Sequence, residues 1–270
     1  LKTNKSKQMK QLNLFFALLM CVGFLNAQNN NPSIVEITYL DIHPSKISTF
    51  VKLHKEVTDM TMGEGRTIQD SWVYRHWYGS GATIIIMDIF ASAEDALKDD
   101  AFAVMNKNMK DKTDKEKEAF RAVFQEWWSF YDGHWDEMRT YNPMANFVAK
   151  ENVDWDIPFV FVVGSYNTKG NMKEMGDAYM NWQTRPNVEK GLQLGGGYTS
   201  HFKGSGSDLQ FFGGFKNIKE FAETVSTQSS DNPEDAKKFW SAVSGPHEDQ
   251  IYVHVGHLEN GEFNLAGKDN

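Results

Sequence analysis

The sequence predicts an α+β protein built from two consecutive β-α-β-β-α-β units. The phrase His-aromatic-x-Gly-Ser-Gly occurs at 76–81 (HWYGSG) and again at 201–206 (HFKGSG). Each copy is followed by a β-prone run, at 82–90 and 207–215, and then by a helix-forming segment. Each copy is also preceded by a predicted strand and an amphipathic helix, so the same order of elements occurs twice.

The earlier elements of each half support this order. First strands are predicted at 34–40 and 159–163, where β-branched and aromatic residues dominate. Ser92 and Asn217 are suited to cap the second helix of each half. The first helix of each half carries apolar residues at helical spacing. These are Ile47, Phe50, Val51, His54 and Val57 in the first half, and Met172, Met175, Tyr179 and Trp182 in the second.

The remaining segments complete the two units. Final strands are predicted near 138–141 and 250–257. The charged run 106–118 is typical of a solvated helix or loop. The segment 142–156 is the predicted crossover between the halves.

The Gly-Ser-Gly phrase predicts a hairpin turn. It lies between two predicted strands, where glycine supplies the positive φ that a tight turn requires. A phosphate-binding loop would lead into a helix instead. No dinucleotide fingerprint, Gly-x-Ser-x-Gly elbow or zinc signature is present in the sequence. The sequence therefore predicts no cofactor.

The order β-α-β-β-α-β is that of a ferredoxin-like unit, an antiparallel sheet with both helices on one face. Both predicted sheets carry apolar and aromatic residues on the other face, which the two sheets can bury by packing face to face. In this topology and duplication the chain resembles the dimeric α/β-barrel superfamily, which includes antibiotic-biosynthesis-monooxygenase-like, EthD-like and NIPSNAP-like proteins. The resemblance runs from Ser33 to about Leu258. It implies a pocket between two sheets, formed here by repeats at 28–145 and 146–270 of one chain.

The segment 1–27 is predicted to be a secretory signal peptide. Met9 is suited to be the true start, since a basic residue and an apolar run follow it, and Ala27 offers a small residue for cleavage. The alternative is a lipoprotein lipidated at Cys21, but Met20 stands where a lipobox carries a small residue. The predicted location is the periplasm or the exterior of the cell.

Charge and composition restrict the partners. The chain has a net charge of −8 and no basic run after the predicted signal, which argues against nucleic-acid binding. No later segment is long and apolar enough for stable membrane insertion. Cys21 is the single cysteine, so a mature chain cleaved at Ala27 forms no disulfide. The expected partner is a small molecule, and a homodimer is compatible with the sequence.

Three histidines are candidate catalytic residues. His76 and His201 occupy equivalent positions at the end of the second strand of each half, and imidazole titrates near neutrality. Each could equally be a strand residue that the repeats share by ancestry. His54, at the edge of a helical stripe, is the third candidate, with core packing as its alternative.

Four aromatic residues are predicted to bind substrate. Trp72 and Tyr74 share a strand face with His76 by the period of two, and Tyr198 and Trp182 are aromatic positions of the second half. Aromatic walls between two sheets favour a flat or apolar ligand.

Clusters of histidine and carboxylate residues leave two alternatives open. The segments 134–137 and 247–250 could hold a metal or form loops that enter the last strand of each half. His254 and His257 lie three apart on a predicted strand, which places them on opposite faces and argues against chelation. No metal site is predicted.

These observations leave three functions. The first is a secreted or periplasmic protein that binds a small apolar or aromatic molecule, or transforms it without a cofactor while His76 or His201 moves a proton. The second is a non-catalytic interaction or structural protein of the cell envelope, with its interior filled by side chains. The third is a haem protein with one of these histidines as axial ligand. An open cavity between the sheets would favour the first function, and a packed interior the second.

Overall fold

The computed structural model describes residues 32–227 and 232–267. The predicted signal segment 1–27 lies outside these residues. The strands are β1 (Ser33–Leu40), β2 (Ile68–Gly79), β3 (Ile84–Phe90), β4 (Trp135–Tyr141), β5 (Phe147–Ala149), β6 (Val160–Thr168), β7 (Gly195–Lys203), β8 (Leu209–Phe215), β9 (Val243–Glu259) and β10 (Glu262–Leu265). The helices are α1 (Ile47–Thr61), α2 (Ala93–Lys98), α3 (Ala101–Met109), α4 (Asp114–Ser129), α5 (Pro143–Asn146), α6 (Met172–Tyr179), α7 (Arg185–Glu189), α8 (Ile218–Thr227) and α9 (Pro233–Ala242).

Eight of the strands close into an antiparallel barrel, which makes the fold α+β. Their order is β9-β2-β3-β1-β4-β7-β8-β6, and β6 pairs back onto β9. The short strands β5 and β10 pair with β7 and β9 beside this circle. Closure gives each barrel strand a partner on both sides, so no barrel strand is left as an open edge.

Both halves of the barrel have the same strand order. In the first half β1 lies between β3 and β4, and β2 follows β3. In the second half β6 lies between β8 and β9, and β7 follows β8. The halves join edge to edge at the β4–β7 and β2–β9 pairs. Their inner faces therefore meet across one lumen. The origin of the halves by duplication stays a prediction.

Alternation along the strands divides the apolar residues between the lumen and the helix layers. The lumen holds Val35, Ile37, Tyr74, Ile85, Phe161, Val163 and Tyr252. The outer face of the first half packs Leu40, Val73, Ile84 and Ile86 against Phe50 of α1. The outer face of the second half packs Tyr198, Leu209 and Phe211 against Met175 of α6 and Phe239 of α9.

Two predicted helix caps are confirmed. The Ser92 hydroxyl accepts a hydrogen bond from the backbone N–H of Asp95 at 3.1 Å, and Asn217 Oδ1 accepts one from the backbone N–H of Glu220 at 3.1 Å. The charged run 106–118 contains the end of α3 and the start of α4. Within the described ranges, no helix has both the length and the apolar character that crossing a bilayer demands.

Candidate functional site

A cavity of about 510 Å³ occupies one end of the barrel lumen, called here the aromatic cavity. Most strands of the barrel contribute to its wall, and the crossover between the halves adds Pro143, Phe147, Ala149 and Trp155. Its aromatic lining residues are Trp72, Tyr74, Tyr141, Phe147, Trp155, Phe159, Phe161 and Phe212. A largely apolar cavity walled by rings is suited to a flat apolar molecule.

Asp70 places a carboxyl group in the lining of this cavity. Burial raises the pKa of Asp70 to about 7, although hydrogen bonds from the Trp72 side chain and the Ser71 backbone oppose the shift. The repulsion of Asp88 and Glu259 raises this pKa further. A carboxyl group with such a pKa exchanges protons near neutral pH.

Two tyrosines of the cavity supply hydroxyl groups. Burial, and then the negative charge of Asp70, raise the pKa of both Tyr74 and Tyr141 above its usual value. Both phenols therefore stay protonated at neutral pH, when they can donate a hydrogen bond to an oxygen atom of a ligand.

The opposite end of the lumen holds a polar network around a buried ion pair. Arg139 Nη1 donates to Glu137 Oε2 at 3.1 Å, and Arg139 Nε donates to Thr199 Oγ1 at 2.7 Å. The Tyr39 hydroxyl and Gln210 Nε2 both donate to Glu137 Oε1. Both side chains of the ion pair are buried. Because water does not compete for these groups, the hydrogen bonds fix the side chains relative to one another.

The repeated Gly-Ser-Gly turns meet at this polar end. A cavity of about 500 Å³ there is lined by Gly81 of the first turn, and by Ser205 and Gly206 of the second. Positive φ values at Gly79, Gly81 and Gly204 agree with the predicted turns. The repeated phrase thus forms one mouth of the barrel, and the aromatic cavity lies at the other.

Trp72 and Tyr74, two of the predicted substrate-binding residues, line the aromatic cavity. Tyr198 packs instead on the helix side of the sheet. Tyr198 occupies the position in β7 that Val73 occupies in β2, and both side chains face the helices. The neighbouring residue that faces the lumen is Thr199. Trp182 also lies outside the barrel, where a cavity of about 540 Å³ separates the second half from its helices.

His54, a predicted catalytic residue, lies between α1 and α4, outside the barrel lumen. Trp127 Nε1 donates to His54 Nδ1 at 3.3 Å, and the ring stacks on Phe50. Burial lowers the pKa of His54 to about 4, so it is neutral at physiological pH. This environment is that of the core-packing alternative.

His76 and His201 both lie towards the polar end. His201 Nε2 is 3.0 Å from the carbonyl oxygen of Gly204, within its own hairpin. His76 has the parity of Tyr74, but its ring packs edge-on against Tyr252, and its buried Nε2 has no hydrogen-bond partner. The aromatic cavity is not lined by either residue. Their catalytic roles stay predictions.

A haem ligated by His76 or His201 does not fit this arrangement. Neither histidine lines any of the three cavities of about 500 Å³ at the barrel ends and beside the second half. The nitrogen of His201 that would bind iron is also engaged by Gly204.

The prediction that His254 and His257 face opposite sides is wrong. Val73 pairs with Gly256 and Tyr74 pairs with His254, so the register slips by one residue and Val255 is left over. Such a β-bulge reverses the alternation of the bulged strand. The two imidazole rings lie 5.3 Å apart, and both contact the ring of Trp72.

Sequence reasoning missed Asp70, although a signal for it was present. Asp70, Trp72 and Tyr74 alternate along one strand, so the face predicted to be aromatic also carries an acid. An acid within an otherwise apolar strand face is uncommon, because burial disfavours its charged form.

Comparison with solved structures shows the fold of the chain. An anthrone oxidase-like protein superposes with a TM-score of 0.54 at 12% identity, covering 88% of this chain and 97% of that one. A candidate monooxygenase from Lactobacillus acidophilus NCFM gives 0.53 at 8% identity, covering 87% and 97%. A candidate monooxygenase from Fusobacterium nucleatum subsp. nucleatum gives 0.52 at 10% identity, covering 86% and 97%.

No protein-family model matches the sequence, and no curated protein is similar to it. At these identities the superpositions establish architecture alone. The chain therefore shares the fold of these three proteins.

Proposed function

We propose that the protein binds a flat apolar or aromatic molecule in the aromatic cavity and transforms it without a cofactor, with Asp70 as the proton acceptor. The observation that carries the proposal is the position of this carboxyl. It lines a largely apolar cavity with eight aromatic side chains in its wall, and burial is the main cause of its raised pKa.

The chemistry follows from the state of each group. With a pKa of about 7, Asp70 is substantially ionised at neutral pH and still basic enough to remove a weakly acidic proton. The protonated hydroxyls of Tyr74 and Tyr141 are suited to stabilise an oxyanion that develops when the proton leaves. A substrate whose C–H bond is acidified by a carbonyl group and fused aromatic rings fits both requirements.

Anthrone is a probe of this class, and the anthrone oxidase-like structural neighbour supports its choice. Loss of the proton from the carbon opposite the carbonyl gives a delocalised anion that molecular oxygen oxidises. Overall, one anthrone and one O₂ give one anthraquinone and one water. The protein supplies the base, the oxyanion donors and a largely apolar cavity.

The test measures anthraquinone formation from anthrone in air-saturated buffer, and binding of anthraquinone by quenching of tryptophan fluorescence. Asp70→Asn should lower turnover by about 10²- to 10⁴-fold and retain binding. Ala149→Trp should abolish both, because the indole fills the cavity. His76→Ala and His201→Ala should keep turnover. Loss of turnover in either variant would assign the role of proton acceptor to that histidine.

Failure of the wild-type protein to bind anthraquinone would contradict the proposal and favour the non-catalytic cell-envelope function. Binding without turnover would reduce the proposal to a binding protein.

We also propose that the two halves arose by tandem duplication and that residues 1–27 direct export. Native mass spectrometry of the protein from its own periplasm tests the export and reads out the partners. Cleavage after Ala27 would leave a chain that begins at Gln28. A mass excess lost on denaturation would identify a retained ligand, and a doubled mass a homodimer.

A further inference from the structure

We infer that Asp156, His257 and Glu259 form a binding site for a divalent metal ion of the zinc class at the rim of the aromatic end of the barrel. One ligand atom from each side chain lies within 4.8 Å of the other two. An imidazole nitrogen and two carboxylate oxygens are a donor set that zinc accepts, and a fourth position is left for water. This inference does not depend on the proposed function.

The burial of His257 is the second observation. Its side chain is almost wholly enclosed while that of Asp156 is largely exposed, and His257 Nε2 lies 3.6 Å from Asp156 Oδ1, beyond hydrogen-bond distance. The Nε2 atom of this enclosed imidazole thus faces a carboxylate at the surface without a hydrogen bond of normal length, and a metal ion held between them would give this nitrogen a partner.

The local structure orients the His257 side chain and holds the backbone of Asp156. The bulge at Val255 turns His257 towards the side of Trp72, whose ring stacks on the imidazole at 4.7 Å with an interplanar angle of 15°. The backbone carbonyl of Asp156 accepts a hydrogen bond from the N–H of Gly267 at 2.8 Å. The imidazole is thus positioned before an ion arrives, which reduces the cost of ordering it.

Two other histidine–carboxylate pairs serve as internal comparisons. His134 lies 3.3 Å from Asp136, and His247 lies 3.2 Å from Asp249. Both pairs are more exposed than His257, and among the described residues neither belongs to a group of three ligands. They are the clusters that the sequence offered as metal candidates, and they provide matched controls.

An ion at this site would tie the loop before β6 to the end of β9. That loop carries Trp155 and Phe159, both in the wall of the aromatic cavity. The metal would therefore act as a structural clamp on one wall of the cavity, outside the lumen.

The test titrates Zn²⁺ into the full chain, purified without a polyhistidine tag, and follows heat release and tryptophan fluorescence. We expect one ion per chain and a fluorescence change from Trp72. His257→Ala and Glu259→Gln should each weaken binding by at least about tenfold, and His247→Ala should leave it unchanged. Titration with Co²⁺ should give the visible absorption bands of a low-symmetry site, lost in the same two variants.

Absence of Zn²⁺ binding by the wild-type chain would overturn the inference, as would equal affinity in wild type and Glu259→Gln. Because Glu259 is exposed, Glu259→Gln decides the matter even where His257→Ala fails to fold. Weakening by His247→Ala alone would overturn it too, since it would place the ion elsewhere.

Discussion

Asp70 and Glu137 are both inward-facing carboxyl groups of one barrel, and their surroundings differ in kind. At the aromatic end, Asp70 lies among rings and accepts hydrogen bonds from Trp72 and the Ser71 backbone. At the polar end, Glu137 is bonded to Arg139, Tyr39 and Gln210. The desolvation cost of Asp70 is therefore not offset by a cation among the described residues that line the aromatic cavity, whereas that of Glu137 is offset by its ion pair and hydrogen bonds.

The difference separates a reactive acid from a structural one. A buried carboxylate that is fully paired cannot change its protonation without breaking the network that holds it. An unpaired one has its proton affinity raised towards neutrality. The network at the polar end therefore offsets the burial of its charges, whereas the aromatic end keeps the unfavourable free energy of a buried carboxyl group without a cation partner in that network.

Arg139→Met should have the largest effect on stability, because it leaves the buried Glu137 carboxylate without its cation. We expect a loss of about 4 kcal/mol in the free energy of unfolding, measured by urea denaturation at pH 7. The double variant Glu137→Leu/Arg139→Met should recover much of this loss, since no charge is left unpaired. A loss below about 1 kcal/mol in the single variant would show that the network is not compensating a buried charge.

Gly206→Ala should disturb the same network by steric means. An added Cβ would overlap Glu137 Oε2, whose position is held by Arg139, so the turn or the carboxylate must move. We expect a loss of about 2 kcal/mol in unfolding free energy. The matched control is Gly170→Ala, where the nearest atom to the added carbon is Thr168 Oγ1 at 3.9 Å. Equal stability of the two variants would contradict the packing that the structure shows.

Asp70→Asn tests the aromatic end through the pH dependence of stability. The pKa of Asp70 is about 7 in the folded chain, above that of an unfolded aspartate at about 3.9. The folded state therefore binds this proton more tightly, and stability falls as the pH rises from about 4 to 7. Asp70→Asn removes this pH-dependent loss of stability. Its free energy of unfolding should therefore exceed that of wild type by about 1.5 kcal/mol at pH 8, a value reduced because Asp70 is partly open to the cavity.

The comparison between wild type and Asp70→Asn is needed because other acids contribute to the same pH range. Burial raises the pKa of Glu36 to about 7 and that of Asp88 to about 6. Urea denaturation at pH 4, 6 and 8 gives the difference between the two proteins. The curves should meet at pH 4, and a constant difference across the range would show that Asp70 does not titrate as described.

The sequence predicted the order of elements because that order depends on local patterns. The repeated phrase located the turns, and the period of two placed Trp72 and Tyr74 on one strand face, which the structure shows to line the cavity. Tyr198 was expected in the pocket but lies on the helix side of the sheet. It corresponds to the outward-facing Val73 of the first half, a relation that appears only when the strands of the two repeats are aligned residue by residue. His257 could not be assigned, because a bulge that adds one residue leaves no mark in the pattern of apolar residues.

The partners of each side chain were beyond sequence reasoning for a different reason. Asp156 and His257 are far apart in the chain and meet through the pairing of β6 with β9. The sequence left Glu137 either in a metal-binding cluster or in a loop before the last strand, whereas β4 places it in the lumen beside Arg139. Long-range contacts of this kind depend on closure of the barrel, which no local segment encodes.

A barrel made from one chain can break the symmetry that two identical subunits would impose. In register with the repeated phrase, Gly195 stands in the second half where Asp70 stands in the first, and both line the aromatic cavity. Two identical subunits would bring a pair of acids to that end, and their mutual repulsion would tie the proton of one to that of the other. The single chain instead has an acid in the first half and a glycine at the equivalent position of the second. The lining that one half gives to the aromatic cavity can therefore change in evolution while that of the other half is kept.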